Sequence, residues 1–162
     1  MSRSPAVLCI DDNVLGLAVR KAMLESRDYK VFTAENGPAG LEIVKRELVD
    51  LVVLDYEMPD MDGGRVAQQL RRQHADVPIL LLTGYPGRIP ESLLAAVDGF
   101  VVKGSSPHVF LQEVERITSG SEITTGQSAA AAKVRRKRPR EQRELAVAPK
   151  RLLRRCRQKR KR

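Results

Sequence analysis

The chain has 162 residues, of which 42% are hydrophobic but only 4% aromatic, so it has room for one domain of ordinary size with an aliphatic core and is too short for a typical eight-fold β/α barrel. Residues 1–132 contain 13 Lys/Arg and 18 Asp/Glu, a net charge of −5, whereas residues 133–162 contain 16 and 2, a net charge of +14. The overall charge of +9 is therefore an average over two parts of opposite sign. This split excludes a uniformly basic protein and indicates an acidic domain followed by a basic tail.

Five short runs rich in Val, Leu and Ile alternate with five segments of helical periodicity. In chain order, the predicted elements are strand 6–10, helix 14–26, strand 30–33, helix 38–47, strand 51–54, helix 64–74, strand 79–82, helix 91–96, strand 100–102 and helix 107–117. Most of the runs are continuously apolar, as in parallel strands covered on both faces, but 30–33 alternates and suits a sheet edge. This order predicts an open, doubly wound parallel sheet with helices on both sides.

Side-chain spacing also predicts which face of the first helix is buried. The apolar residues that lie largely on one stripe of this helix are Val14, Leu17, Ala18, Ala22 and Leu24. Further along the chain, Pro86, Gly87 and Pro90 leave room for only a short fourth helix.

Polar residues stand at the strand ends that share one edge of a parallel sheet, where ligands bind in such folds. They are Asp11 and Asp12, Asp55, Thr83 and Lys103. Three convergent carboxylates repel one another, which predicts either a bound cation or raised carboxyl pKa values. For a cation, a set of oxygen ligands without His or Cys favours Mg²⁺. An ionised carboxylate can attack phosphorus directly, while Mg²⁺ and Lys103 neutralise the phosphoryl oxygens and the Thr83 hydroxyl donates a hydrogen bond to one of them.

The motifs IDDN, LDYEMPDMDG, LLTG and FVVKG, each at the end of an apolar run, resemble the receiver domains of two-component response regulators over about residues 5–119. The resemblance implies a flavodoxin-like five-stranded sheet with five helices and the strand order 2-1-3-4-5. It also implies that Asp55 is the phosphoacceptor and that Thr83 and Lys103 bind the phosphoryl group. The implied Mg²⁺ ligands are Asp12 directly, Asp11 through water, Asp55, and the backbone carbonyl of Glu57.

By the same resemblance, Thr83 and Phe100 form a switch that alters the face made by the fourth helix, the fifth strand and the fifth helix. Phe100 has no hydroxyl, so this switch would work through packing alone. Gly104 stands where receivers usually have Pro after the Lys. This departure predicts a trans peptide bond, a differently shaped loop and a less reliable reach of Lys103 into the pocket.

The function implied is that of a stand-alone response regulator in a phosphorelay. It would take phosphate from a sensor histidine kinase or a phosphotransfer protein and would signal to an unidentified downstream protein by contact. On this interpretation the chain is a phosphoacceptor rather than an enzyme, with at most self-catalysed phosphotransfer and dephosphorylation.

The expected domain organisation is a receiver over residues 1–120 and a flexible linker and Lys/Arg-rich tail over 121–162, disordered and without an effector domain. Residues 133–162 could bind nucleic acid or another polyanion non-specifically, could contact the acidic receiver, or could be a solvated extension. The first of these defines the alternative function, a nucleic-acid-binding regulator under receiver control. Cys9 and Cys156 do not have the spacing of metal ligands. No membrane span or signal peptide is expected, so the expected location is the cytoplasm.

Overall fold

The structure is a computed structural model that describes residues 3–59 and 61–120, so the predicted linker and basic tail lie outside the described residues. Within these residues, five strands and five α-helices alternate, as predicted, and each predicted end falls within two residues of the observed one. The elements are β1 (Ala6–Ile10), α1 (Val14–Glu25), β2 (Lys30–Ala34), α2 (Gly37–Arg46), β3 (Leu51–Asp55), α3 (Gly63–Gln73), β4 (Ile79–Thr83), α4 (Glu91–Leu94), β5 (Gly99–Val102) and α5 (Pro107–Thr118).

All five strands pair in parallel, in the order β2-β1-β3-β4-β5. This order confirms the doubly wound, flavodoxin-like arrangement expected for the chain. Every residue of β1, β3 and β4 is buried, whereas the edge strand β2 exposes Lys30 and Thr33. The alternating pattern therefore identified the edge strand β2, but the continuous apolar run 100–102 did not identify β5, which is the other edge strand and is only partly buried.

The core has two layers because successive strand residues point to opposite faces of the sheet. In β1, Leu8 and Ile10 pack in the layer formed with α2, α3 and α4, and Val7 and Cys9 pack in the layer formed with α1 and α5. The predicted shortening of the fourth helix is also observed: a 3-10 turn at Pro86–Arg88 precedes α4, which has only 4 residues. In the part of the chain that the structure describes, no helix combines the length and apolar character needed to cross a bilayer.

The predicted buried stripe of α1 is wrong for three of its five residues. Leu17 and Leu24 are buried, but Val14, Ala18 and Ala22 are exposed. The helix in fact carries two apolar stripes, and spacing along the sequence does not reveal which of them faces the sheet. Tertiary packing selects the stripe that contains Leu17 and Leu24.

The other stripe remains on the surface. Val14, Leu15 and Val19 are 58%, 75% and 51% exposed, and we call these three residues the α1 apolar face. Isolated exposed apolar residues are ordinary on protein surfaces, but neighbouring ones on one helix form a candidate contact surface.

Candidate functional site

The parallel sheet brings the predicted carboxylates together at the C-terminal ends of β1 and β3. Asp11, Asp12 and Asp55 each present an oxygen atom within 4.8 Å of the others. Asp11 and Asp55 are almost completely buried, with 2% and 1% exposure, and Asp12 is exposed. The next residue, Asn13, caps α1 by accepting a hydrogen bond from the Gly16 N–H through its side chain.

The two oxygens of Asp55 have different surroundings. Oδ1 lies 2.6 Å from Lys103 Nζ and accepts a hydrogen bond of 3.1 Å from the Glu57 N–H, whereas Oδ2 is buried without a hydrogen-bond partner. Burial raises the pKa of Asp55; the Lys103 salt bridge offsets this only in part, and the Asp11 charge adds to the increase. Burying a carboxylate oxygen without a partner costs free energy, so a cation bound beside Asp55 would stabilise this carboxylate.

The donor chemistry of this cluster fits Mg²⁺. The three converging carboxylates supply only oxygen ligands, and the unpartnered Oδ2 of Asp55 points to a missing positive charge. The carboxylates line an open cavity of about 440 Å³ together with Glu57 and Lys103, and exposed Asp12 gives an ion a route from solvent. Asp11, Asp12, Asp55 and Glu57, the four residues predicted as metal ligands, therefore surround one cavity.

The side chain of Glu57 makes contacts that the sequence analysis did not predict, since that analysis assigned only its backbone carbonyl. Its carboxylate accepts hydrogen bonds from Thr83 Oγ1 at 2.7 Å and the Gly84 N–H at 3.0 Å, and lies 3.4 Å from Lys103 Nζ. Burial alone would raise the pKa of Glu57, but these donors together hold it below its ordinary value. An internal anion thus occupies the donors that the sequence analysis assigned to a phosphoryl group.

The loop after β5 contains Gly104 at the position where the resemblance leads one to expect Pro, and Lys103 still points into the cavity. The Lys103–Gly104 bond is trans, and Gly104 has a φ of 89°, which the ring of Pro cannot adopt. Lys103 nevertheless lies 2.6 Å from Asp55 Oδ1 in this structure. Burial lowers the pKa of Lys103, but its pairing with Asp55 outweighs this effect and raises the pKa overall.

The two predicted switch residues lie on neighbouring strands. Thr83 is fully buried at the end of β4, and Phe100 of β5 pairs in register with Leu81, two residues before Thr83. Strand alternation therefore places Thr83 and Phe100 on the same face of the sheet. Phe100 is half-buried against the core layer of α2, α3 and α4.

Arg20 is a charged residue of this site that the sequence analysis missed. Its guanidinium forms a salt bridge with Asp11 Oδ2, and its side chain lines the same cavity as the carboxylates. A signal was present in the sequence, because Arg20 follows Leu17 by three residues and precedes Leu24 by four. It therefore belongs to the stripe of α1 that packs on the sheet.

Comparison with known proteins places this site in a family context. Residues 7–115 match the family described as "Response regulator receiver domain". The transcriptional regulatory protein GlrR of Escherichia coli K12 is 37% identical over 100 residues, which are 61% of this chain and 22% of GlrR. The chain therefore spans about a fifth of the length of this curated relative.

Solved structures agree with the sequence comparison. The response regulator TrrA of Thermotoga maritima, in complex with Mg²⁺-BeF, is 32% identical and has a TM-score of 0.66 over 70% of this chain and 98% of TrrA. TrrA in complex with the histidine kinase ThkA, also 32% identical, has a TM-score of 0.65 over 70% of this chain and 97% of TrrA.

Proposed function

The chain belongs to the response regulator receiver domain family of two-component systems, and from this premise we propose that Asp55 accepts a phosphoryl group from a histidine kinase or a phosphotransfer protein. The observation that carries the proposal is the environment of Asp55. Its carboxylate is buried beside two other carboxylates, has one unpartnered oxygen, and lies 2.6 Å from Lys103 Nζ. This arrangement leaves a nucleophile that requires added positive charge before it can accept an anionic group.

The proposed step is a displacement at phosphorus. An oxygen of Asp55 forms a bond to the phosphorus atom of a phosphohistidine while the P–N bond breaks, and the departing imidazole keeps the electron pair. Bound Mg²⁺, with Asp11, Asp12, Asp55 and the Glu57 carbonyl as the proposed ligands, would supply positive charge to the phosphoryl oxygens. The chain is on this proposal a phosphoacceptor rather than a turnover enzyme.

We assign three groups to the transferred phosphoryl oxygens: the Lys103 ammonium, the Thr83 hydroxyl and the Gly84 N–H. All three contact the Glu57 carboxylate in the unphosphorylated site. Phosphorylation would bring a second anion to the Thr83 hydroxyl and the Gly84 N–H, each of which has one proton to donate, so Glu57 would give up these two donors, while the Lys103 ammonium has three.

The same exchange provides an output. When Thr83 leaves Glu57 for the phosphoryl group, the space next to it on this face of the sheet changes, and half-buried Phe100 can shift its packing. We describe this as a change in the populations of two states, whose extent depends on how much better the phosphoryl group fits one of them. A downstream protein would read the surface formed by α4, β5 and α5.

The α1 apolar face is the surface that we assign to the phosphate donor. Its residues flank Asn13 and Gly16, which line the cavity that contains Asp55. TrrA, which shares the fold and 32% of its sequence with this chain, has been crystallised with the histidine kinase ThkA. An exposed apolar helix face beside the phosphoacceptor suits contact with a helix of such a kinase, since burying it would exclude water from the transfer.

The proposal is tested by labelling the full chain with acetyl phosphate in the presence of Mg²⁺ and locating the phosphoryl group by mass spectrometry. We expect Asp55→Asn to abolish labelling. The matched control is Asp62→Asn, because Asp62 is an exposed N-cap and Asn caps helices equally well. Labelling that persists in the Asp55 variant, or disappears in the control, would contradict the assignment.

A second candidate function follows from the basic segment, residues 133–162. Its net charge of +14 is opposite in sign to the rest of the chain, and many phosphates neutralised at once give substantial, salt-sensitive affinity for nucleic acid. GlrR is named a transcriptional regulatory protein, although the similarity spans only 22% of it. We propose on this basis that residues 1–120 form the receiver and that residues 121–162 form a linker and a polyanion-binding tail under its control.

This second candidate is tested by measuring the affinity of the full chain for duplex DNA and for RNA at several salt concentrations. Four tail arginines are replaced together by Gln: Arg135, Arg136, Arg138 and Arg140. The control removes equal charge from exposed arginines of the domain: Arg27, Arg46, Arg65 and Arg72. Weaker binding and a shallower salt slope in the tail variant alone support the candidate, and absence of binding by the unmodified chain at low salt rejects it.

A further inference from the structure

Arg20 provides a positive charge inside the carboxylate cluster. Its guanidinium pairs with Asp11 Oδ2, and the two side chains are only 17% and 3% exposed. Gly16, one turn earlier on α1, makes room for it, because a Cβ at that position would lie 3.1 Å from Arg20 Nη2 and 3.3 Å from Nη1. A side chain at position 16 would displace the flexible guanidinium by a few tenths of an ångström, so Gly16 eases the approach of Arg20 to Asp11 without being required for it.

The bonding of Arg20 differs from that of a structural arginine in the same protein. Arg71 donates to the Ala96, Ala75 and Val77 carbonyls and to Asp98, so each of its three nitrogens has an acceptor. In contrast, the Nε atom of Arg20 is buried without a hydrogen-bond partner. A guanidinium whose donors are incompletely satisfied is bound less firmly, so this salt bridge can be released at lower cost.

Both oxygens of Asp11 have a donor within the protein. Oδ1 accepts the Asn13 N–H at 2.7 Å, and Oδ2 is taken by Arg20. A cation that binds near Asp11 therefore meets a carboxylate whose charge is already neutralised, and it lies close to a like charge. Both effects oppose binding of a divalent ion.

We propose that Arg20 is an internal counter-ion of the metal pocket, which stabilises Asp11 in the metal-free protein and competes with Mg²⁺ for it. This inference rests on the proposed Mg²⁺ site. Arg20 acts on metal binding through Asp11 and is a positioning residue. It sets the Mg²⁺ concentration above which the receiver is ready for phosphorylation.

The experiment uses the metal alone with the full chain. Mg²⁺ is titrated while the amide resonances of Asn13 and Glu57 are followed by NMR, because these N–H groups donate to Asp11 and Asp55. In Arg20→Met we expect a Kd for Mg²⁺ lower by about tenfold, since a competing charge is removed. The matched control is Lys21→Met, which removes equal charge from the same helix at a residue whose side chain is 47% exposed.

Thermal unfolding provides a second measurement. Without Mg²⁺, Arg20→Met should unfold at a lower temperature than the unmodified chain, because Asp11 loses its partner. At saturating Mg²⁺ this difference should shrink, because the variant binds the ion more tightly.

The outcomes distinguish the role of Arg20 from the existence of the Mg²⁺ site. If the unmodified chain binds no Mg²⁺, the metal site itself is wrong. If the chain binds Mg²⁺ but Arg20→Met leaves the Kd unchanged and the loss of stability persists with the ion, Arg20 has a structural role only and the inference is overturned. An equal effect of Lys21→Met would also overturn it, since general charge would then be the cause.

Discussion

The two ends of the parallel sheet hold their carboxylates in different ways. At the N-terminal end, Asp50 accepts from Arg3 and from the Ala6 N–H, and Asp98 accepts from Arg71 and from the Ile79 N–H. At the C-terminal end, three carboxylates lie within 4.8 Å of one another, and Oδ2 of Asp55 has no partner.

The carboxylates at the N-terminal end contribute to stability, whereas those at the C-terminal end form the reactive site. Each acid at the N-terminal end has its own cation and a backbone donor, so its bonding is satisfied within the fold. The acids at the C-terminal end share Lys103 and Arg20 among themselves and with Glu57. Their bonding would be completed by a metal ion and a phosphoryl group, so removing Lys103 should impair phosphoryl transfer, whereas removing a cation from the N-terminal end should lower stability.

The largest effect is expected at Lys103. In Lys103→Met, the rate of labelling by acetyl phosphate should fall by about 10²–10³-fold, because a preorganised charge is lost from the developing phosphoryl group. The control is Lys30→Met at the opposite end of the sheet, where the Lys30 side chain is 61% exposed, and its rate should stay unchanged. A similar rate in both variants would show that Lys103 binds Asp55 without assisting transfer.

Removing a cation from the N-terminal end should instead lower stability. Arg71→Met leaves Asp98 without its salt bridge and frees three backbone carbonyls, so we expect the free energy of unfolding to fall by about 3 kcal/mol. Urea denaturation measures this, with exposed Arg72→Met as the control. The folded fraction should label at the normal rate, and slower labelling of folded molecules would mean that the two ends are coupled.

The smallest effect is expected when one of the charges at the C-terminal end of the sheet is neutralised. Asp55→Asn, measured without metal, should raise the free energy of unfolding by about 1 kcal/mol at pH 7, because it replaces a buried charge among like charges. The pKa of Asp55 is raised in the folded protein, so the unmodified chain gains stability as the pH falls through that value, and the gain is complete below the ordinary pKa. The advantage of the variant should therefore shrink at acidic pH, and an advantage independent of pH would contradict this explanation.

Most of the fold and the location of the site could be predicted from the sequence. Apolar runs and helical periodicity located each β-strand and α-helix of the described residues, and Asp11, Asp55, Thr83 and Lys103 were found where strands end. Their convergence followed without knowledge of any contact, because the carboxyl ends of parallel strands lie at one edge of a sheet.

The remaining features depended on contacts between segments. Periodicity could not decide which of two apolar stripes of α1 faces the sheet, so the predicted burial of Val14 was wrong. Nor could it show that the Glu57 carboxylate accepts from Thr83, 26 residues away.

The sequence by itself therefore determined the order of the elements and the set of reactive residues, since both follow from local spacing and strand ends. Only the tertiary structure decided how their charges pair. Arg20 meets Asp11, and Lys103 meets Asp55 and Glu57, because the fold brings these oppositely charged side chains together at one edge of the sheet. Burial of Asp11 and Asp55 strengthens their attraction to these cations.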